Sequence, residues 1–147
     1  MNAEVADLLE RAIALCVTAH QGQRDKAGAP YALHPLRISL AVASPEASVT
    51  ALLHDVVEDT EWTLDGLRRE GFPEALVAAV DCLTRRDGES YEDFVERVAA
   101  NPLAREVKLA DLADNLDVRR IEAVTDRDLQ RLERYHRAWK RLSGETG

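Results

Sequence analysis

Apolar residues recur at helical spacing along most of the chain, and this pattern predicts a bundle of helices. The first stripe consists of Val5, Leu8, Leu9, Ala12, Leu15, Cys16 and Ala19. We expect this helix to end near His20, before a polar stretch over residues 21–31 that carries two glycines. Pro35 suits the first turn of a second helix that runs to about Ala43. Pro45 opens a third helix, whose apolar positions extend as far as Val57.

Residues typical of helix N-termini mark the remaining starts, at Thr63, Pro73, Ser90, Asn101–Pro102 and Thr125. The helix that begins at Pro73 is predicted to run through Cys82, and the one after Asn101 to about Asp117. Thr125 with Asp128 three residues later predicts the last helix, over 125–142. No segment reads as a convincing strand. We therefore predict an all-α fold, a compact single-domain bundle of seven or eight helices over residues 1–147.

Composition narrows the functional class. The chain has 147 residues, enough for one sizeable core, and aromatic residues make up only 5%, which favours helices over a strand-rich fold. With 27 acidic and 19 basic residues the net charge is −8, which disfavours binding to nucleic acid. The N-terminus carries acids where a signal peptide carries bases, and no apolar run is long enough to span a membrane. We predict a cytoplasmic protein; the oligomeric state stays open.

Four ionisable residues interrupt the apolar third helix. His54 and Asp55 follow two leucines, and Glu58 and Asp59 stand four positions after them, which predicts that all four share one helical surface. Carboxylates so close together repel one another and resist burial unless a cation neutralises them. Imidazole with carboxylate is a ligand set that suits manganese, iron or zinc.

Two further segments offer matching groups. Asp111 and Asn115 stand four positions apart on a predicted helix, with Lys108 one turn before them, and His34 lies at the end of the polar loop. These side chains can converge with the His54–Asp55 pair on one metal ion. Taken alone, Asp111 is equally compatible with a surface ion pair, and His34 with a structural role.

Other polar residues receive plainer interpretations. His20, at a helix C-terminus, is predicted to be structural. The arginines of the last helix stand among acids and are predicted to form a solvated face; they are Arg127, Arg131, Arg134, Arg137 and Arg141.

Three blocks, taken in order, resemble the hydrolase domain of Rel/Spo proteins and the stand-alone small alarmone hydrolases. They are residues 19–35 (AHQGQRDKAGAPYALHP), residues 53–60 (LHDVVEDT) and residues 107–111 (VKLAD) followed by Asn115. The adjacent His54-Asp55 is similar to the signature of the wider HD superfamily of metal-dependent phosphohydrolases. The resemblance covers roughly residues 5–120.

This resemblance implies a function and a set of residue roles. The activity implied is removal of the 3′-pyrophosphate of ppGpp or pppGpp, which yields GDP or GTP. The implied ligands of a single Mn²⁺ are His34, His54, Asp55 and Asp111. Glu58 and Asp59 are implied to position and activate the attacking water. The implied substrate-binding residues are Arg24, Lys26, Tyr31, Lys108 and Asn115.

Two alternatives remain at this point. One keeps the metal centre and changes the substrate to another nucleotide, because Asp25, Asp114 and Asp117 place acids where related proteins often have neutral or basic groups. The other is a non-catalytic module that senses a metal or a nucleotide. The second carboxylate pair, Glu58 and Asp59, argues for turnover, since a binding module does not need it.

Overall fold

Helices make up the architecture. The computed structural model describes residues 1–144; positions 145–147 of the predicted domain lie outside the described residues. Within 1–144 there are eight α-helices longer than one turn and one four-residue helix, α4. The helices are α1 (Ala3–Ala19), α2 (Leu33–Ala41), α3 (Pro45–Leu53), α4 (Val56–Asp59), α5 (Leu64–Arg69), α6 (Glu74–Leu83), α7 (Tyr91–Ala99), α8 (Pro102–Asn115) and α9 (Asp126–Ser143). This confirms the all-α prediction; the one β-bridge in the described part joins Arg24 to Pro30.

Side-chain caps start most of these helices. The side chains of Thr63, Ser90 and Asn101 each accept a hydrogen bond from the backbone N–H three residues later. At α9 the exchange is reciprocal, because Thr125 caps the Asp128 N–H and the Asp128 carboxylate accepts from the Thr125 N–H. The predicted starts are thereby confirmed, and the helix ends fall within two residues of the prediction except at the third helix.

The predicted continuous helix through His54 and Asp55 is wrong. Helix α3 ends at Leu53, and the chain turns through His54 and Asp55 before α4 begins at Val56. The Asp55 backbone is distorted from helical geometry, with φ −102° and ψ −3°. His54 Nδ1 lies 2.5 Å from the Ala51 carbonyl oxygen, so the imidazole itself bonds to the last turn of α3. The turn separates the two ionisable pairs that the sequence placed on one helical surface.

Helix α3 is the most deeply buried element. Leu52 and Leu53 are completely inaccessible to solvent, and α3 packs against α1, α2, α6 and α8. Full burial of one leucine contributes about 1.5–3 kcal/mol, so this packing fixes the α3 C-terminus firmly. Helices α2 and α8 also pack on each other. The elements that carry His34, the His54–Asp55 turn and Asp111 therefore form one rigid frame. Among residues 1–144, every helix is too short or too polar to form a membrane-spanning segment.

Candidate functional site

Four predicted ligands meet where α2, the α3–α4 turn and α8 come together. His34 Nε2 lies 2.9 Å from Asp111 Oδ1 and 3.9 Å from Asp55 Oδ2. His54 Nε2 lies 3.0 Å from the same Asp55 oxygen and 3.7 Å from the same Asp111 oxygen. Two imidazole nitrogens and two carboxylate oxygens thus lie at the corners of a quadrilateral with sides of 2.9–3.9 Å, hereafter the ring. The convergence expected from three separate segments is present in the structure.

Each imidazole is oriented through its other nitrogen. The proton on His54 Nδ1 is directed to the Ala51 carbonyl, and His34 Nδ1 lies 2.6 Å from Asp114 Oδ2. These bonds leave the Nε2 atoms to face the ring. Hydrogen bonding of the outer nitrogen to a carbonyl or a carboxylate is how metal-binding histidines are generally held.

Asp114 was not predicted as a site residue, and it is tightly held. Arg37 donates from Nε and Nη2 to its two carboxylate oxygens at 2.8 and 3.0 Å. Arg120 Nη2 lies 3.3 Å from Asp114 Oδ2. Burial opposes ionisation, but the hydrogen bonds from His34 and Arg37 prevail and hold the pKa of Asp114 well below its usual range. The sequence did contain a signal for this pair, because Arg37 lies three residues after His34 and Asp114 lies three residues after Asp111.

Asp111 is buried, and neighbouring side chains compensate its negative charge. Lys108 Nζ lies 2.7 Å from Oδ2, and Asn115 Nδ2 donates to Oδ1 at 3.1 Å. Burial alone would raise the pKa of Asp111, but the Lys108 ammonium and the two histidines hold it well below its usual range. Burial likewise disfavours charge on Lys108, yet Asp111 raises its pKa above the ordinary value. Asp111 therefore stays anionic, the form that can bind a metal ion.

The donor set fits a divalent metal ion. His54 Nε2 is fully buried and makes no hydrogen bond with any described residue, since its approach to the two carboxylates lacks hydrogen-bond geometry. Buried polar nitrogens are rarely left unpaired in folded proteins. In an octahedral ion with bonds of about 2.1 Å, adjacent ligand atoms stand roughly 3 Å apart. Two of the four distances between neighbouring donor atoms, 2.9 and 3.0 Å, match this value. The other two, 3.7 and 3.9 Å, reach it by a small inward movement of the side chains.

A second acidic group adjoins the ring through Asp55. Carboxylate oxygens of Asp55, Glu58 and Asp59 all lie within 4.8 Å of one another. The backbone N–H of Arg85 donates to Glu58 Oε1 at 3.0 Å, which orients that carboxylate. Burial, followed by the charge of Asp55, raises the pKa of Asp59; burial is also the main cause of the raised pKa of Glu58. Glu58 and Asp59 are exposed enough to contact solvent.

His20, for which a structural role was predicted, is buried at the end of α1 and contacts the polar loop. It is 1% exposed, and its Nδ1 lies 2.8 Å from Gln23 Oε1. Gln23 Nε2 in turn donates to the Asp59 carbonyl at 3.1 Å. The pair ties the polar loop to the end of α4, so Gln23 supports the acidic group although it was not singled out from the sequence.

A cleft of about 290 Å³ opens beside the His34 edge of the ring. Four of the predicted substrate-binding residues line it, namely Arg24, Lys26, Tyr31 and Asn115. Tyr31 also donates its hydroxyl proton to Asp55 Oδ2 at 2.5 Å, which connects the cleft wall to the ring. Lys108, the fifth, stands beside Asp111 and is not part of the cleft wall.

The acidic residues of the cleft are occupied by local partners. Asp25 Oδ1 accepts from the backbone N–H groups of Ala27 and Ala29, both at 2.9 Å. Asp117 is paired with Arg119 at 2.8 Å. Arg24, by contrast, has no carboxylate within ion-pair distance among residues 1–144. Of the three acids that left the substrate open, Asp114 and Asp117 are therefore paired with arginines, and Asp25 is held by backbone N–H groups.

The prediction of a solvated arginine face on α9 is wrong for two of its members. Arg131 is partly buried, lines the cleft and lies 2.5 Å from Asp128 Oδ1. Arg134 is partly buried, with its Cζ atom 4.7 Å from the centroid of the Tyr91 ring. Asp128 on the same helix holds Arg131, and the rings of Tyr91 and Tyr135 hold Arg134. Charge spacing alone does not indicate these contacts.

Comparison with known proteins gives a consistent result. No protein-family model matches the chain. A GTP pyrophosphokinase of Streptomyces coelicolor is 35% identical over 74% of this chain and 14% of its own length. A guanosine-3′,5′-bis(diphosphate) 3′-pyrophosphohydrolase of Aquifex aeolicus is 31% identical over 76% of this chain and 18% of its own length. The bifunctional (p)ppGpp synthase/hydrolase SpoT of Escherichia coli is 31% identical over 63% of this chain.

A solved structure shares the fold. It is described as a metazoan ortholog of SpoT that hydrolyses ppGpp, and it superposes with a TM-score of 0.75, covering 98% of this chain and 88% of that chain at 24% identity. The curated relatives are much longer, since the chain spans less than a fifth of the length of those that it matches. The chain belongs to the Rel/Spo family and has the fold of its hydrolase-type HD domain.

Proposed function

We propose that this protein is a metal-dependent phosphohydrolase that removes the 3′-pyrophosphate of ppGpp or pppGpp. The observation that carries the proposal is the ring of His34, His54, Asp55 and Asp111, flanked on one side by a carboxylate pair and on the other by a cleft. Relatives that bear the name of this activity support the choice of substrate. The cytoplasm, where guanine nucleotides are present, is the compartment that this function requires.

We assign Mn²⁺ as the metal and the four ring residues as its ligands. Two nitrogen and two oxygen donors form a set of intermediate hardness, and four ligands leave places for water and substrate in a six-coordinate shell. When bound, the ion polarises a phosphoryl oxygen and lowers the pKa of coordinated water. The protein holds the donors in place through the Ala51 carbonyl, Asp114 and Lys108.

Glu58 and Asp59 are the residues proposed to handle the water. Both carboxylates lie beside Asp55 and face solvent, so either reaches a water molecule held next to the ring. The Arg85 N–H fixes Glu58, which we assign as the general base, while Asp59 orients the water. Water adds its oxygen to the inner phosphorus of the 3′ group, the bond between that phosphorus and the 3′ oxygen breaks, and the 3′ oxygen takes up a proton.

The cleft is proposed to hold the nucleotide. Its acids accept hydrogen bonds from groups within the fold. The Arg24 guanidinium and the Lys26 ammonium, whose side chain is 58% exposed, remain available to phosphate. Tyr31 connects the cleft to Asp55, so a nucleotide in the cleft presents its sugar to the ring. Local cations thus compensate for the net charge of −8.

The test is a hydrolysis assay on ppGpp with added Mn²⁺, with products separated by ion exchange. Release of GDP and pyrophosphate by the wild type, and its loss in Glu58→Gln, is the expected result. A metal-loaded protein that leaves ppGpp intact and hydrolyses another nucleotide would reassign the substrate. Metal binding without turnover of any nucleotide would favour a sensing module instead.

A further inference from the structure

Two arginines converge on one tyrosine beside the metal ring. Arg134 of α9 places its Cζ atom 4.7 Å from the centroid of the Tyr91 ring, and Arg85, from the segment before α7, places its Cζ 5.8 Å from the same centroid. Arg85, Tyr91 and Arg134 are referred to as the Tyr91 cluster. It gathers two positive charges and one hydroxyl in a protein whose net charge is −8.

Polar atoms of the Tyr91 cluster lack partners. The Tyr91 hydroxyl oxygen and Arg134 Nε are both buried, and neither makes a hydrogen bond within residues 1–144. In the same range, neither Arg85 nor Arg134 has a carboxylate within 4.0 Å, although most other arginines near the site do. A buried polar group that is left unpaired carries a free-energy cost. A ligand that carries negative charge and several acceptor oxygens would remove this cost.

The Tyr91 cluster lies between the acidic group and the cleft. The backbone N–H of Arg85 holds Glu58, the proposed base, at 3.0 Å. Tyr135, which lines the cleft, has its ring 6.4 Å from the Tyr91 ring and 5.6 Å from Arg134 Cζ. Burial raises the pKa of the Tyr91 hydroxyl, whereas the nearby Lys108 ammonium acts in the opposite direction. Lys108 in turn contacts Asp111, one of the four residues of the metal ring.

We infer that the Tyr91 cluster binds the outer phosphate of the diphosphate group that the reaction releases. The inference rests on the proposed function, because it places the nucleoside in the cleft and the inner phosphate at the ring. The outer phosphate then extends past Lys108 toward Arg85 and Arg134. Guanidinium groups pair with phosphate through charge-assisted and often bidentate hydrogen bonds, and the Tyr91 hydroxyl is a further donor. The assignment makes Arg134 and Tyr91 substrate-binding residues that recognise the leaving group.

The experiment measures binding of inorganic pyrophosphate to the Mn²⁺-loaded protein by calorimetry, with Mn²⁺ present at equal concentration in cell and syringe. Arg134→Met keeps a long side chain and removes the charge, and Tyr91→Phe removes only the hydroxyl. Arg127→Met, an exposed position on the same helix, is the matched control. We expect pyrophosphate to bind about 10- to 100-fold more weakly to Arg134→Met and several-fold more weakly to Tyr91→Phe, with no change in the control.

GDP, which lacks the released group, separates this subsite from the cleft. We expect both variants to bind GDP as the wild type does. Unchanged pyrophosphate affinity in both variants would overturn the inference, and so would an equal loss of GDP and pyrophosphate affinity. If Arg134→Met does not fold, Tyr91→Phe alone decides. Because binding is measured without turnover, failure of the wild type to hydrolyse ppGpp would count against the proposed substrate and not against this anion site.

Discussion

The Nδ1 atom of His34 lies 2.6 Å from Oδ2 of Asp114, a carboxylate that Arg37 and Arg120 also hold. This bond sets the tautomer and the plane of an imidazole whose other nitrogen faces the metal ring. Asp114 is thus a positioning residue for His34. From the sequence, its acidic character was expected to disfavour an anionic substrate; in the structure the carboxylate is instead bonded to His34.

Replacement of this carboxylate tests the relationship. Asp114→Asn keeps the shape and removes the charge, so we expect Mn²⁺ affinity to fall by about 10- to 100-fold, as is typical when the group behind a ligating histidine is changed. Calorimetric titration of the metal measures the effect. Asp117→Asn is the control, because Asp117 bonds to Arg119 and does not touch His34. Equal affinities for wild type and Asp114→Asn would show that the bond does not position His34 for metal.

Removal of the metal itself should lower stability. An ion present at about 100 times its dissociation constant stabilises the folded state by about 2.7 kcal/mol. We therefore expect chelation by EDTA to lower the melting temperature of the wild type measured by circular dichroism. Asp55→Ala removes one ligand, so its melting temperature should not respond to metal or to EDTA. Asp65→Ala, on an exposed carboxylate, should respond as the wild type does; a metal response retained in Asp55→Ala would exclude Asp55 as a ligand.

The proposed base is tested by a neutral substitution. Glu58→Gln should retain Mn²⁺ binding and lose about 10²- to 10⁴-fold in kcat, the usual contribution of a general base. Steady-state kinetics and a metal titration on the same preparation measure both quantities. Glu61→Gln, on a nearby exposed glutamate, should retain full activity. Turnover by Glu58→Gln at the wild-type rate would move the role of base to Asp59.

Lys26 is expected to act on substrate binding. Its side chain is 58% exposed, and its ion pair with Asp128 Oδ1 is long, at 3.9 Å. The ammonium group is therefore free to turn toward a phosphate in the cleft. Lys26→Ala should therefore raise KM more than it lowers kcat, since the contact is made in the ground state. Arg69→Ala, at the exposed end of α5, is the control. A fall in kcat at constant KM would indicate that Lys26 contacts the transition state instead.

One ion pair near the site should make stability depend on pH. Arg97 Nε and Nη2 donate to Glu89 at 2.6 and 2.8 Å, and these hydrogen bonds lower the pKa of Glu89 to about 2. A carboxyl whose folded pKa is depressed contributes stability above its unfolded pKa, and this contribution is lost as pH falls toward the folded value. The difference in unfolding free energy between wild type and Glu89→Gln should be largest above pH 5 and smaller at pH 3. Urea unfolding at both values tests this, and a difference that grows on acidification would contradict it.

Local signals predicted the helices well. The caps at Thr63, Ser90, Asn101 and Thr125 depend on a side chain and an N–H only three residues away, so the sequence contains all that is needed. The break after Leu53 was not predictable from periodicity, because apolar residues continue to Val57 on both sides of the turn. It depends on the bond from the His54 ring to Ala51 and on the convergence of His54 with residues of α2 and α8.

The candidate site, like the helices, was predicted only in part from the sequence. Residue type and spacing brought out the four ring residues and the Glu58–Asp59 pair, because imidazoles and carboxylates are rare in apolar segments. The supporting residues were missed, since Arg37 and Arg134 carry ordinary charges on helices and become distinctive only through a partner on another helix. Asp114 and Tyr91, the partners concerned, are distant from them in sequence.

The meeting of His34 and Asp111 joins positions that are 77 residues apart in the chain. Bringing together the ends of a loop of that length costs about 4 kcal/mol of chain entropy in the unfolded protein. A divalent ion shared by these two residues and the His54–Asp55 turn would act as a removable cross-link among three distant stretches of polypeptide. Its removal would leave this entropy cost to be offset by the packing of the helices alone, so the ion-free protein would keep its topology with a smaller margin of stability.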